Sequence, residues 1–299
     1  MKKITLLFIV SIISIFTAAA EGFPFKVSSP NGAPSLALAC HAAENQEAYT
    51  YVAADTIAAE FAGAKADFII APVNAGAKLF KTGKSSYRLA AVVTWGNLYF
   101  ATQKKDFSLE DLKKSSVTLF GENTINASVA LEALKKSGIV PSEVKYLASA
   151  AATQSLLLSD KNAVVLTAEP ALTAAKMKNT QISSWSVNEL LSKTAGISGY
   201  AQAGLFVKAQ TIRGNEKGVK DFLKKAQDSC AKCAELSPEA VKAAVQLKIL
   251  PNAKVAEKAL PGCAVRYMNA RDARPFVEAT ASIDIRQFGG SLPAADFYY

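Results

Sequence analysis

Apolar and polar positions fall into three regimes along this chain. The first is an uncharged apolar run over residues 4–20, preceded by Lys2 and Lys3 and ending in Ala18, Ala19 and Ala20. A positive start, an apolar stretch and small residues before Glu21 make the three-part pattern of a secretory leader, with cleavage expected near Ala20. A membrane anchor needs about 20 apolar residues. This run is shorter and closes on small side chains, so residues 1–20 are read as a cleaved signal peptide. No Cys follows the cleavage point to take a lipid, and no later run reaches this length.

The second regime alternates short apolar runs with helical periodicity. Strands are predicted at 25–28, 49–53, 68–70, 89–93, 98–102, 117–120, 144–147, 163–167 and 204–207. Between them, Ser35 can cap a helix to Glu44 and Asp55 one over 56–62. Further helices are predicted at 74–80, after Ser108 with Asp111 in a capping-box position, before Gly138, and around 153–158. The third regime, beyond residue 207, reads as mostly helical: 219–236, a helix with Ser237 as cap and Pro238 at its first position, and 272–282. Strands alternating with helices imply an α/β protein with mostly parallel sheets covered on both faces. The pattern runs twice, which predicts two lobes. Residues 21–104 plus 205–299 form the first and 105–204 the second, with the chain crossing near 104–109 and 200–205.

A chain of 299 residues is long enough for one large or two medium cores. Its net charge of +9 is spread over scattered pairs such as Lys104-Lys105, Lys135-Lys136 and Lys224-Lys225. Nucleic-acid binding concentrates charge in one stripe, so no nucleic-acid partner is expected. Cys230 and Cys233 have C-x-x-C spacing, yet they share one helical stripe with Val219, Phe222, Leu223 and Ala226. That reads them as small buried hydrophobes. Zinc would need further ligands, and His41 is the only His in the chain. No metal and no cofactor are expected. Export permits disulfides, and a bridge from Cys230 or Cys233 to Cys263 is one of the options that Cys40, Cys230, Cys233 and Cys263 leave open.

Several segments resemble one family in order and spacing. They are Pro30-Asn31-Gly32-Ala33-Pro34, the stretch 66–74 ending Ala71-Pro72-Val73-Asn74, and Trp95-Gly96-Asn97-Leu98-Tyr99. Ser108-Leu109-Glu110-Asp111-Leu112, Ala168-Glu169-Pro170-Ala171-Leu172, the run 202–207 and Gly289-Gly290-Ser291-Leu292-Pro293 follow. Together they span nearly all of the chain beyond the leader. They resemble the periplasmic substrate-binding proteins of ABC transporters, in the nitrate/sulfonate/taurine-type branch. The resemblance implies a bilobal type 2 periplasmic-binding fold. Two mixed, mostly parallel sheets flanked by helices close over a small-molecule solute in the cleft between lobes. It also implies an ABC permease at the inner membrane as partner, a monomer, and a periplasmic or otherwise secreted location. One departure is the loop after residue 120. Many relatives are richer there in Gly and Ser, whereas Glu122, Asn123 and Asn126 stand here. A carboxylate in that loop disfavours a bound anion unless it pairs or points away.

Ligands of open α/β sheets sit beyond the carboxyl ends of the strands. Asn31, Gly32 and Ala33 lead into a helix start, whose free N–H groups suit an anion or carboxylate; Ser35 could instead serve only as a cap. Asn74 can orient a polar solute or cap the next helix. Trp95 offers a flat face for a heterocycle or a core aromatic, and Asn97 shares its loop. From the second lobe, Asn123, Thr124 and Asn126 occupy a helix start, with one of the last two expected to cap. Glu169, at the end of its strand, is the charged candidate for a solute cation or N–H. No G-x-S-x-G, P-loop or His-rich motif occurs, so no catalysis is expected. The competing readings are an enzyme on the same fold and an exported interaction protein that takes no solute.

Overall fold

The computed structural model describes residues 23–54, 56–195 and 199–299. The leader and the Asp55 cap expected from the sequence lie outside these residues. Among the described residues no helix is long and apolar enough to cross a membrane.

Two sheets organise the chain. The first contains β1 (Val27–Pro30), β2 (Tyr49–Val52), β3 (Phe68–Pro72), β4 (Tyr87–Thr94), β10 (Ala203–Lys208) and β11 (Val265–Asn269). Its order is β11-β4-β10-β3-β1-β2. The second contains β5 (Leu98–Thr102), β6 (Ser116–Phe120), β7 (Glu143–Leu147), β8 (Val164–Ala168) and β9 (Ser183–Ser186), in the order β7-β6-β8-β5-β9. Both sheets are mixed. β1 pairs with β2 and β3, and β6 with β7 and β8, in parallel. Every antiparallel pair involves β5, β10 or β11.

Two of these strands sit where the chain changes sheet. β5 was expected in the first lobe, but it pairs Phe100 with Leu166 of β8 and with Trp185 of β9. The chain therefore crosses at Trp95-Gly96-Asn97, before residue 104. It returns before β10, where Leu205 lies opposite Ile70 and Ala91. β11 interrupts a stretch read as helical. Its Val265 pairs with Thr94 at the sheet edge, next to the first crossing.

The helices cover both sheets. They are α1 (Ala39–Glu44), α2 (Ile57–Gly63), α3 (Val73–Lys81), α4 (Ile125–Lys136), α5 (Ala150–Ser159), α6 (Ala171–Lys178) and α7 (Val187–Ala195). Next come α8 (Ala209–Gly214), α9 (Glu216–Ala234), α10 (Pro238–Gln246), α11 (Ala253–Ala259) and α12 (Ala270–Ile283). Local signals set several ends as read from the sequence. Ser237 accepts from the Ala240 N–H ahead of Pro238, and Ser108 and Asp111 form a reciprocal capping box. Ser35 departs from expectation. The turn starts one residue after Gly32, in 3-10 form from Ala33 to Leu38, and the Ser35 hydroxyl donates back to the Pro30 carbonyl.

Packing fixes these elements more firmly than propensity. α9 buries Val219, Phe222, Ala226, Cys230 and Cys233 on one face, and Phe222 meets Phe68 edge-on at 4.5 Å. Gly76 lets α3 lie on β10, because a Cβ there would come within 2.3 Å of the Phe206 ring. All four Cys are free thiols. The bridge to Cys263 that the sequence leaves open is not formed, and the Cys233 thiol donates to the Leu36 carbonyl at 2.8 Å.

His41 is buried beside the Phe222 ring, with its Nδ1 2.7 Å from the Tyr49 hydroxyl. Burial, aided by Lys225, pushes the imidazole down to about 4. The folded value lies below the unfolded 6.5, so this contribution to stability is complete above pH 6.5 and is lost as pH falls toward 4. The loss should reach roughly 2–3 kcal/mol. Comparing urea unfolding of the wild type with His41→Gln should show a stability gap that closes between pH 7 and pH 4.5. A gap independent of pH would mean that folding leaves the imidazole's proton affinity unchanged.

Candidate functional site

The two crossings meet in a hydrogen-bonded knot. Asn97 Nδ2 donates to the Glu169 carbonyl at 2.7 Å, and the Glu169 N–H returns a bond to the Asn97 carbonyl at 2.9 Å. Gln202 Nε2 donates to Asn97 Oδ1 at 2.9 Å, and the Gln202 carbonyl accepts from the Val73 N–H at 3.0 Å. Asn188 Nδ2 holds the carbonyls of Trp95 and Gly96, each at 2.8 Å. Gly96 has φ of +89°, and a Cβ there would sit 2.4 Å from the Tyr200 ring. This position needs glycine for both its backbone and its neighbour.

Above the knot lies a cavity of ≈ 320 Å³ with walls from both lobes. The first lobe supplies Asn31 and Pro34 after β1, Ala54 and Ile57 before and in α2, and Asn74 and Ala75 in the first turn of α3. The second lobe supplies Thr124, Ile125 and Asn126 at the start of α4. Gln202 forms part of the lining from the second crossing, and Gln287 from the segment after α12. Such a volume suits a small solute.

Neither α3 nor α4 carries a side-chain N-cap or an acidic residue in its first turn. The first N–H groups of a helix have no intrahelical acceptor, and the helix dipole adds partial positive charge there. Two such ends thus meet the cavity from opposite lobes. Thr124, expected as a possible cap, donates its hydroxyl to the Gly121 carbonyl instead, at 2.6 Å. Asn74 is not a cap either, since Pro72 holds that position. Asn126 is aimed by a buried partner: the Tyr200 hydroxyl donates to its Oδ1 at 2.8 Å. Burial keeps that hydroxyl neutral by pushing its pKa well up. With Oδ1 engaged, the two Nδ2 hydrogens of Asn126 remain its donors.

The structure divides the residues singled out from the sequence. Asn31, Asn74, Thr124 and Asn126 line the cavity together. Gly32, with φ of +113°, and buried Ala33 shape the turn beside it. Asn123 has φ of +57°, and its carbonyl accepts from Gln287 Nε2 at 2.7 Å, tying the α4 start to the chain after α12. Trp95, Asn97 and Glu169 are not brought to the cavity. Trp95 is 3% exposed, lies face-on to the Arg266 guanidinium at 4.2 Å and edge-on to Phe276 at 5.3 Å, and donates to the Arg266 carbonyl at 2.8 Å. Asn97 serves the knot. The Glu169 carboxylate accepts from the Thr173 N–H at 3.1 Å and the Thr173 hydroxyl at 2.9 Å, at the start of α6. Glu122 is exposed and does not line the cavity.

Gln202 and Gln287 were missed. Gln202 sits in one of the resembling segments, and the crossing itself was visible, but its amide becomes part of the site only through the pairing of distant strands. A wider apolar depression of ≈ 790 Å³ lies between α10 and α11. It belongs to one lobe and gathers no comparable set of polar groups.

Burial raises the Glu169 carboxyl above its ordinary value, with the two Thr173 bonds opposing. A raised folded pKa means that the neutral form is favoured in the fold. Stability from this group is present at low pH and falls as pH rises through the carboxylate range. Thermal melts of Glu169→Gln against wild type should therefore shift in the variant's favour between pH 4 and pH 7. An unchanging difference would place the lost Thr173 contacts, rather than the charge, in control.

No family model matches this chain, and no curated protein matches it. Solved structures do. An ABC transporter protein of Parabacteroides distasonis is 20% identical with a TM-score of 0.78, covering 92% of this chain and 98% of the other. The periplasmic aliphatic sulphonate binding protein of Escherichia coli is 11% identical with a TM-score of 0.71, covering 92% and 91%. A ligand-binding component of an ABC-type import system from Staphylococcus aureus, solved with zinc bound, is 13% identical with a TM-score of 0.69, covering 91% and 94%. At these identities the likeness shows the fold, and the fold is that of the periplasmic binding proteins.

Proposed function

We propose that this chain is the exported solute-binding component of an ABC importer. It captures a small polar or heterocyclic solute between its lobes and delivers it to an inner-membrane permease. The observation that carries this reading is the cavity into which α3 and α4 direct uncapped N-termini from opposite lobes, beside the amides of Asn31, Asn74, Asn126 and Gln202. Two helix ends and several N–H donors favour a solute whose head is rich in acceptor oxygens. A carboxylate, a sulfonate or the carbonyl edge of a heterocycle has that chemistry. The exposed position of Glu122 removes the sequence-based objection to an anion. The likeness to the sulphonate-binding protein supports the same head-group class, and the leader pattern at residues 1–20 supports a periplasmic or otherwise secreted location. Asn31, Asn74, Thr124 and Asn126 are the proposed contacts, with Gln202 and Gln287 added. Binding and release need no bond-making side chain, so the reading assigns no catalytic residue.

Native mass spectrometry of the mature protein from its own host tests this. A stoichiometric small molecule bearing an acceptor-rich head is expected. Bare protein that also shows no thermal shift with amino acids, sulfonates, pyrimidines and oxyanions would overturn the reading in favour of a macromolecular partner.

A further inference from the structure

α1 and α9 lie side by side, and their contact brings Cys40 to Cys233. Cys40 is half-buried and stands where two surface grooves meet. One groove also holds Glu44, Lys232 and Glu239; the other also holds Asp228, Ser229 and Lys232. Cys233 is buried behind it. Its Sγ lies 2.8 Å from the Leu36 carbonyl, one helical turn before Cys40, and it is the hydrogen-bond partner of the Cys40 sulfur. Cys230 is turned toward a different acceptor, the Ala37 carbonyl at 3.3 Å.

The charges around the pair differ sharply. The Cys233 hydrogen bond, followed by Lys232 and Ser229, outweighs burial and the Glu239 carboxylate, and lowers the Cys40 thiol to about 7. Cys233, Cys230 and Cys263 are all pushed well up, Cys233 chiefly by its bond to Cys40 and the other two by burial. Thiolates, not thiols, attack disulfides. Cys40 is also the one sulfur of the four that is not buried, so it is the one a dissolved oxidant reaches first.

We propose that Cys40 and Cys233 form a thiol pair that is closed to a disulfide by a small disulfide oxidant, tying α1 to α9 across the first lobe. The Cys40 thiolate attacks one sulfur of the oxidant RSSR, forming Cys40–S–SR and releasing RS⁻. Cys233 then loses its proton and attacks the Cys40 sulfur, forming the Cys40–Cys233 bond and releasing the second RS⁻. Two protein thiols are oxidised and the oxidant is reduced to two RSH. The Cys233 proton and the one lost by Cys40 end on the two released thiols. The pairing differs from the Cys263 bridge that the sequence left open, and it stands apart from the solute cleft and does not depend on it.

The test is to incubate the reduced full chain with oxidised glutathione at neutral pH, block free thiols, and map the peptides by mass spectrometry. The expected result is loss of two hydrogens from the intact mass, no retained glutathione, and one cross-linked peptide pair joining Cys40 to Cys233. Cys230 and Cys263 should react with the blocking reagent only after unfolding. The melting temperature of the oxidised form should rise by roughly 5–10 °C. Cys40→Ser should abolish the cross-link, while Cys263→Ser should leave it intact, which keeps the pairing testable if the first variant folds poorly. A cross-link from Cys233 to Cys263, glutathione retained on Cys40, or an unchanged intact mass would each overturn the proposal.

Discussion

Trp95→Ala is expected to cost about 3–5 kcal/mol of folding stability, the usual range for removing a buried large aromatic. The ring is 3% exposed and is held on two sides, by the Arg266 guanidinium and by the Phe276 edge. Its removal opens a cavity directly under the first crossing. It also leaves the Arg266 carbonyl without the indole N–H, and the loss of that hydrogen bond adds to the cost. Because the Trp95 N–H bonds Ala264 and its carbonyl receives Asn188, the damage should reach the joint between the sheets. Urea unfolding followed by circular dichroism measures the effect. Solute affinity of the fraction that remains folded should change only a few-fold, since the ring does not line the cavity. The opposite result, stability kept and affinity lost, would restore Trp95 as a surface on which solute stacks.

Trp95 shows where the sequence stops being informative. An aromatic before a glycine at a strand end is equally suited to a ligand platform and to a core. What decides between them is Arg266 and Phe276, which lie far along the chain and pack there only once β11 has joined β4 at the sheet edge. Glu169 is the same case in reverse. Its charge and its place at a strand end suggest a solute contact, but Thr173, four residues on, supplies two bonds that consume both oxygens. By contrast, Asn74 and Asn126 were legible because helix starts announce themselves by composition and the carboxyl-end rule places those starts at the cleft. Strands with continuous apolar runs, such as β3, β4 and β8, were legible for the same local reason. β9, with the sequence Ser-Ser-Trp-Ser, carries no such run and was missed. β5 was recognised as a strand but assigned to the wrong sheet, since periodicity identifies an element and says nothing of which edge it joins.

Asn126→Leu is expected to lower solute affinity by about 100-fold, about 2.8 kcal/mol, since each tenfold is about 1.4 kcal/mol. The reasoning runs along one chain of contacts. Gly96 admits the Tyr200 ring at the crossing; the Tyr200 hydroxyl fixes Asn126 Oδ1 at 2.8 Å; the amide hydrogens are then the donors that Asn126 brings to a lining it shares with Asn74 and Gln202. Leucine removes those donors and leaves an acceptor of the solute unpaired in a confined site, which is where lost hydrogen bonds discriminate most strongly. Tyr200→Phe tests the orienting step separately. It keeps the ring against Gly96 and removes the hydroxyl, so Asn126 becomes free to rotate and affinity should fall by about tenfold, the cost of one neutral hydrogen bond. Isothermal titration with the solute identified by native mass spectrometry measures both, and melting curves establish that each variant is folded. Wild-type affinity in Asn126→Leu would remove the start of α4 from the binding site. Full affinity in Tyr200→Phe alone would keep Asn126 as a contact and show that the protein does not need Tyr200 to aim it.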